Sequence, residues 1–251
     1  MPAHSAKYLE VTISNEQVAE NIKFCIKSKR PFCLSRLGDA EIHLFNNTTP
    51  HKLKQLIANL WNFDISRFDD MRERVRAQLI TTLNESDFIG ILDFDNDVCK
   101  KMQCKKEEWS LPVEKLKQMN IDIPLCCDHQ LPRSKMFGDP YNFRNIINGS
   151  PINIITPNIN LDCSKLSNIL QANVSATLVD NNRVSLINKI QNIQETVVLY
   201  GVSITAKDLG VLLKNRGKIA IDFGATLDAW AGIQTRPWFK EGNIQEHCVI
   251  R

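Results

Sequence analysis

The sequence contains no apolar run long enough to cross a bilayer: its longest, such as Thr196 to Val202, falls far short of the roughly 20 residues a span needs. Met1 to Glu10 carries neither the apolar core nor the small-residue cleavage site of a secretory signal, so the expected compartment is the cytoplasm. An excess of one charge is also missing. With 31 basic against 28 acidic residues the formal net charge is +3. That is too mild for a dedicated nucleic-acid binder, and it suits a small phosphate-bearing ligand. None of the eight cysteines sits in a Cys-x-x-Cys pair, and a chain of 251 residues folds without staples. They read as reduced and mostly buried, with no structural zinc. Glycine is limited to ten positions, and neither G-x-G-x-x-G nor G-x-x-x-x-G-K-[ST] occurs. A P-loop ATPase is excluded, and a tightly held nicotinamide cofactor is poorly supported. Without internal repeats, low-complexity tracts or an obvious linker, residues 1–251 are expected to form one domain. Homo-oligomerisation is compatible with this composition.

What is present is a regular alternation of helical and extended patterns. Ser14-Asn15-Glu16-Gln17 has the form of a capping box, and the apolar spacing after it predicts a helix to about Lys29. A strand over Pro31 to Arg36 is broken by Gly38, and helix resumes from Asp39 to Phe45. Further helices are predicted at His51 to Asn62, Ser66 to Asn84 and Lys106 to Met119, with strands at Phe88 to Leu92 and Ile121 to Cys127. Asp128 to Pro140 reads as a long functional loop. From Pro151 the order becomes strand 152–156, helix 162–171, strand 175–179, helix 183–193, strand 196–200, helix 205–215, strand 218–222 and helix 226–231. This pattern predicts an α/β architecture: a Rossmann-like, mostly parallel sheet with helices on both faces.

Ligands in such sheets bind beyond the carboxyl ends of the strands, so the chemistry is sought just after each one. Asp39 and Glu41 follow the glycine bend at Gly38 and could present hard oxygen ligands to Mg²⁺ or Mn²⁺, or serve as a plain helix cap. Arg36 could orient them, bind phosphate, or form a surface ion pair. His43, on the same helix, reads as a packing residue. Asp93-Phe94-Asp95-Asn96-Asp97 resembles an EF-hand opening, but Val98 stands where glycine is needed and calcium of that type is rejected. It remains a rival metal loop or a solvated acidic turn. Gly201 and Ser203 follow a strand and precede a helix, as in a phosphate-binding turn. Asp222 ends a strand, Gly224 permits close backbone approach, and Asp228 and Trp230 follow. A carboxylate there could act as base on a hydroxyl and the tryptophan could stack on a ring; the bland reading is a strand end whose Trp fills the core.

Taken together, Ser35-Arg36-Leu37-Gly38-Asp39-Ala40-Glu41 and Lys218-Ile219-Ala220-Ile221-Asp222-Phe223-Gly224-Ala225 to Trp230-Ala231-Gly232 resemble the GT-D family of bacterial-type glycosyltransferases. The resemblance spans most of the chain. In that family the first motif reads R-x-G-D-G-E, and this sequence departs from it at Ala40. The resemblance implies that Asp39 and Glu41 associate with metal and donor diphosphate, with Arg36 and Gly38 shaping the turn. Val197 to Gly201 with Ser203, and the strand end at Asp222 to Gly224, look like the family's later motifs.

The resulting expectation is a glycosyltransferase of GT-D type, using a nucleotide-sugar, preferably a UDP-sugar, and a glycan or glycoconjugate hydroxyl, assisted by Mn²⁺ or Mg²⁺. Catalytic candidates are Asp39, Glu41, Asp222 and Asp228. His129, Arg133 and Trp230 are candidate substrate contacts beside Arg36, Gly38, Gly201, Ser203 and Gly224. The alternative is a non-catalytic Rossmann-like module that binds a nucleotide or a partner protein.

Overall fold

The computed structural model describes residues 7–46, 54–55, 64–95, 106–157, 159–180, 182–202 and 206–233, without the side chains of Asp39 and Glu108. The first helix, α1 (Asn15–Ser28), starts as its capping box predicts. The Ser14 hydroxyl accepts from the Gln17 N–H and the Gln17 side chain accepts from the Ser14 N–H, so two otherwise orphaned donors are satisfied at once. Lys29, in the left-handed conformation, closes the helix. Strand β1 (Phe32–Arg36) follows, buried along its whole length, and then α2 (Asp39–Asn46). A short 3-10 turn at Ile65–Arg67 opens α3 (Phe68–Glu85), which leads into β2 (Phe88–Ile91). Next come α4 (Lys106–Trp109), α5 (Val113–Gln118) and β3 (Cys126–Asp128), followed by α6 (Lys135–Gly138) and α7 (Pro140–Ile147). The remaining alternation is β4 (Ile152–Thr156), α8 (Cys163–Leu170), β5 (Val174–Leu178), α9 (Arg183–Ile190), β6 (Val197–Tyr200), α10 (Leu209–Lys214), β7 (Ile219–Asp222) and α11 (Thr226–Trp230).

The strands form one seven-stranded sheet in the order β3-β2-β1-β7-β6-β4-β5, with every ladder parallel. A fully parallel sheet must be covered on both faces, and side-chain alternation shows that it is. On β6, Val197 and Leu199 enter a core with α1, α7 and α8, while Val198 and Tyr200 point the other way, toward α9 and α10. At the other end of the sheet Ile89, Ile91 and Cys126 pack against α2, α3 and α5. Among the described residues no helix is long and apolar enough to cross a membrane. Cys25, Cys33, Cys126 and Cys127 are free thiols in the core, and Cys163 is half-buried.

Three predicted elements differ, each for a local reason. The helix expected over Lys106 to Met119 splits into α4 and α5, because Pro112 caps the second piece and lacks the N–H that a continuous helix would need there. The strand expected from Ile121 shrinks to Cys126–Asp128, with Pro124 unable to donate to a ladder. The loop expected up to Pro140 holds a 3-10 turn and α6, and α7 starts at its end: Asp139 accepts from the Tyr141 N–H and Pro140 fills the first helical position. Most of the helix predicted at His51 to Asn62, and the predicted helix start at Thr205, lie outside the described residues.

Trp230 belongs to the core and offers no stacking face to a ligand, contrary to its candidate role as a substrate contact. It is 3% exposed, its ring centroid lies 5.2 Å from that of Phe223 and 6.0 Å from that of Phe143, and its Nε1–H donates to the Gly138 carbonyl at 2.7 Å. It ties the segment after β3 to the end of the chain's last described helix. Trp230→Ala is expected to destabilise the protein by about 3–5 kcal/mol. Trp230→Phe, which keeps an aromatic ring but loses the hydrogen bond and part of the indole volume, should cost less, about 1–3 kcal/mol in urea unfolding.

Candidate functional site

β1 and β7 are neighbours in the sheet although β7 is the last strand in sequence, and the chain leaves them toward opposite faces, from β1 into α2 and from β7 into α11. An open α/β sheet forms its ligand crevice at such a switch point, outside the carboxyl ends of the strands. Arg36, the last residue of β1, and Asp222, the last of β7, meet there: the Arg36 Nη2–H donates to Asp222 Oδ1 at 3.0 Å. The Arg36 Nη1–H donates to the main-chain oxygen of His129, just past β3, at 3.2 Å. Arg36 is 8% exposed and Asp222 7%. Removing one member of such a pair strands a charge in the interior, at a cost of about 3–5 kcal/mol.

Two glycines make room for this guanidinium. A Cβ on Gly90 would lie 2.8 Å from Arg36 Cγ, and one on Gly224 would collide with the guanidinium itself. Gly224 also has φ +49°, which disfavours any side chain there. Gly201 abuts the same turn, since a Cβ on it would come within 2.6 Å of the Gly224 carbonyl oxygen. The turns after β6 and β7 therefore pack backbone to backbone.

Across the crevice, Glu41 folds back over the first turn of α2. Its Oε2 accepts from the Gly38 N–H at 2.8 Å and its Oε1 lies 2.8 Å from Lys207 Nζ. A Cβ on Gly38 would sit 2.7 Å from that Oε2, so a side chain there would displace the Glu41 carboxylate. Burial alone would raise the Glu41 pKa. The Lys207 charge, with hydrogen bonds from Lys207 and the α2 backbone, outweighs it and holds the carboxyl below its ordinary value. Each Glu41 oxygen already has a donor, so a metal ion held here would share the carboxylate with Lys207. A divalent ion sharing the carboxylate with the Lys207 ammonium at about 4 Å would meet a repulsion on the order of 8 kcal/mol, at an effective dielectric of about 20. Asp39 starts α2, but its side chain, like Ser203 and Asp97, lies outside the described residues. In the rival loop Asp93 Oδ1 accepts from the Asp95 N–H at 3.0 Å, which is a capped turn.

His129 is fixed by its N–H, which donates to the Ile91 carbonyl at 2.7 Å, and its ring approaches Gly38: a Cβ there would be 3.7 Å from Nε2. Burial first, then the charges of Arg36, Arg133 and Lys207, push its pKa well below 6.5, so the imidazole is neutral at pH 7. His129 Nδ1 and Arg36 Nε are both buried without a hydrogen-bond partner. Arg133 donates to Gln130 Oε1 at 2.9 Å. Asp228 lies in the first turn of α11, beyond the same strand end, and is half-buried. His43 is buried edge-on to Trp109 at 6.1 Å, the packing role expected for it.

A polar layer supports the site from the opposite face of β1. Ser35 Oγ lies 3.2 Å from the Tyr200 hydroxyl, 3.3 Å from Cys33 Sγ and 3.1 Å from Ser86 Oγ. Burial pushes the Cys33 thiol up to about 11 and the Tyr200 phenol well above its usual value, so both stay protonated as uncharged partners. Gly210 lets α10 press onto this layer, where a Cβ would be 2.6 Å from Cys33 Sγ. Lys207, in the turn just before α10, was not singled out by the sequence. A lysine near a helix start is usually a solvated charge, and nothing local marks this one.

A family model described as a GT-D fold-like domain matches residues 13–230. Among curated proteins none matches the chain. A glycosyltransferase from Streptococcus sanguinis, a domain of unknown function 1792, superposes with a TM-score of 0.57 at 14% identity, over 95% of this chain and 87% of that one. A second structure of that domain, described as having a distinct glycosyltransferase fold, gives 0.58 at 15% identity over 96% and 84%. A selenomethionine-substituted form gives 0.59 at 14% identity over the same shares, 96% and 84%. At these identities the fold is what is shared.

His129 and Glu41, both held below their ordinary values, contribute to the acid-side dependence of stability on pH. His129 is depressed from 6.5 and Glu41 from 4.5, so each contributes fully above those values, and each contribution is lost as pH falls. Urea midpoints should be level near neutrality, decline first below pH 6.5 and decline again below pH 4.5. His129→Asn should remove the first decline and keep the second. A wild-type midpoint that stays flat to pH 5 would refute the neutral, buried imidazole.

Proposed function

The chain belongs to the GT-D fold-like domain family, and from that premise we propose that it is a glycosyltransferase. It moves a sugar from a nucleotide-sugar, UDP-sugars being the first class to test, to a hydroxyl of a glycan or glycoconjugate. The observation that carries this reading is the Arg36–Asp222 contact at the point where β1 and β7 part, with His129 beside it and Lys207 facing it on Glu41. Cations at the strand ends suit a diphosphate leaving group, whose charge grows as its bond to the sugar breaks.

In the reaction the bond between the anomeric carbon and the diphosphate oxygen breaks, a bond to the acceptor oxygen forms, and the hydroxyl proton passes to a base. Arg36 is held on two sides, and its buried, unpartnered Nε–H is a donor of the kind a phosphate oxygen satisfies. The neutral His129 ring offers one N–H and one lone pair and adds no charge that would repel Arg36. Asp228, half-buried in the first turn of α11 just past the same strand end, is the proposed acceptor base. A divalent cation, when bound, supplies Lewis-acid neutralisation of the diphosphate. Because Lys207 stands on Glu41, no step is routed through one here.

One observation favours a binding-only module: Glu41 and Asp222 are both consumed by ion pairs. The two readings separate on sugar release. Incubation with a panel of UDP-, GDP- and TDP-sugars is expected to liberate sugar from at least one donor, and the same donor should raise the melting temperature. Asp228→Asn should lower turnover by about 10²–10⁴-fold with nucleotide affinity retained. Thermal stabilisation by nucleotide with no sugar released from any donor would leave the binding module; unchanged turnover in Asp228→Asn would remove it as the base.

A further inference from the structure

We infer that Lys207 is the built-in cation of the diphosphate site, standing at Glu41 where a divalent metal would otherwise be required. The inference rests on reading the strand ends as a donor site, and it adds a residue and a charge source to that reading.

Lys207 is held from several sides. Its N–H donates to Gln78 Oε1 at 3.0 Å, and its carbonyl accepts from the Thr82 hydroxyl at 3.0 Å, both on α3. The next residue, Asp208, is gripped by Arg183 through two parallel hydrogen bonds of 2.6 Å each. The preceding Ala206 is buried. The side chain is only 15% exposed and ends 2.8 Å from Glu41 Oε1. A surface lysine on a flexible stem has no need of a backbone pinned to a second helix and a neighbour clamped by a guanidinium. This arrangement instead fixes the ammonium before any ligand arrives, which is what lets a charge stabilise a leaving group without reorganising.

Its surroundings point to an anionic ligand. Burial first, and then the charges of Arg36, Arg133 and Lys207, keep the His129 imidazole neutral. Two buried polar atoms in the same crevice, Arg36 Nε and His129 Nδ1, have no partner within the protein. A buried donor left open beside a fixed ammonium fits phosphate oxygens, which can accept from both. Glu41 holds the lysine in place and leaves its ammonium two further N–H donors for such a ligand.

The test measures inorganic pyrophosphate binding by titration calorimetry, with EDTA or with Mn²⁺. Wild type is expected to bind pyrophosphate in EDTA, and Mn²⁺ should change the affinity by less than about threefold. Lys207→Met should weaken binding by about tenfold to a hundredfold, while Lys207→Arg should stay within about fivefold of wild type. Should Lys207→Met fail to fold with Glu41 unpaired, the double variant Glu41→Gln, Lys207→Met removes that buried charge and should show the same loss. Pyrophosphate binding that requires Mn²⁺, equal binding by the methionine variants, or no binding under either condition overturns the inference. Lys207-dependent binding in EDTA with no sugar released from any donor keeps the inference and overturns the glycosyltransferase reading.

Discussion

The contact between Arg36 and Asp222 is the constraint on which the crevice depends. It joins the end of the first strand to the end of the last, across the whole intervening chain. A buried ion pair is a poor source of net stability, because desolvation consumes most of the Coulombic gain. What it supplies here is register: β1, β3 and β7 are held with their carboxyl ends level, and the turn after β7 approaches as closely as Gly224 permits. Gly90 and Gly224 are the spatial conditions of that pair.

A second set of interactions sets the opposite wall. The hydroxyl and thiol layer of Cys33, Ser35, Ser86 and Tyr200 sits under β1, and Gly210 lets α10 lie against it. The turn before α10 is pinned in turn to α3 and α9. Lys207 inherits its position from these contacts and Glu41 from Lys207. The first motif is thus shaped as much by what packs behind α10 as by its own residues. This is the usual logic of a preorganised site, in which supporting contacts hold the reactive groups.

Much of the scaffold was legible because it rests on short-range rules. The capping box at Ser14, the glycine break at Gly38 and the strand-helix alternation after Pro151 each appear where local propensity and periodicity place them. The parallel sheet followed from that alternation. Local reading failed where one residue carried competing signals. Pro112 split a helix that the apolar spacing favoured, and Asp139-Pro140 opened a helix at what looked like the end of a loop. Trp230 was drawn toward a ligand role by its place after a strand end, whereas its ring and N–H are both used up inside the core.

The sequence by itself determined the fold class, the succession of strands and helices, and the acids and glycines of the first and last motifs, because periodicity and turn chemistry act over a few neighbouring residues. Tertiary structure alone decided what those groups are bonded to. Arg36 and Asp222 are 186 positions apart, and Lys207 meets Glu41 only through the packing of α10 and α3. A charge has no fixed role until burial sets the local dielectric and packing chooses its partner, and both come from contacts that no local window of sequence contains.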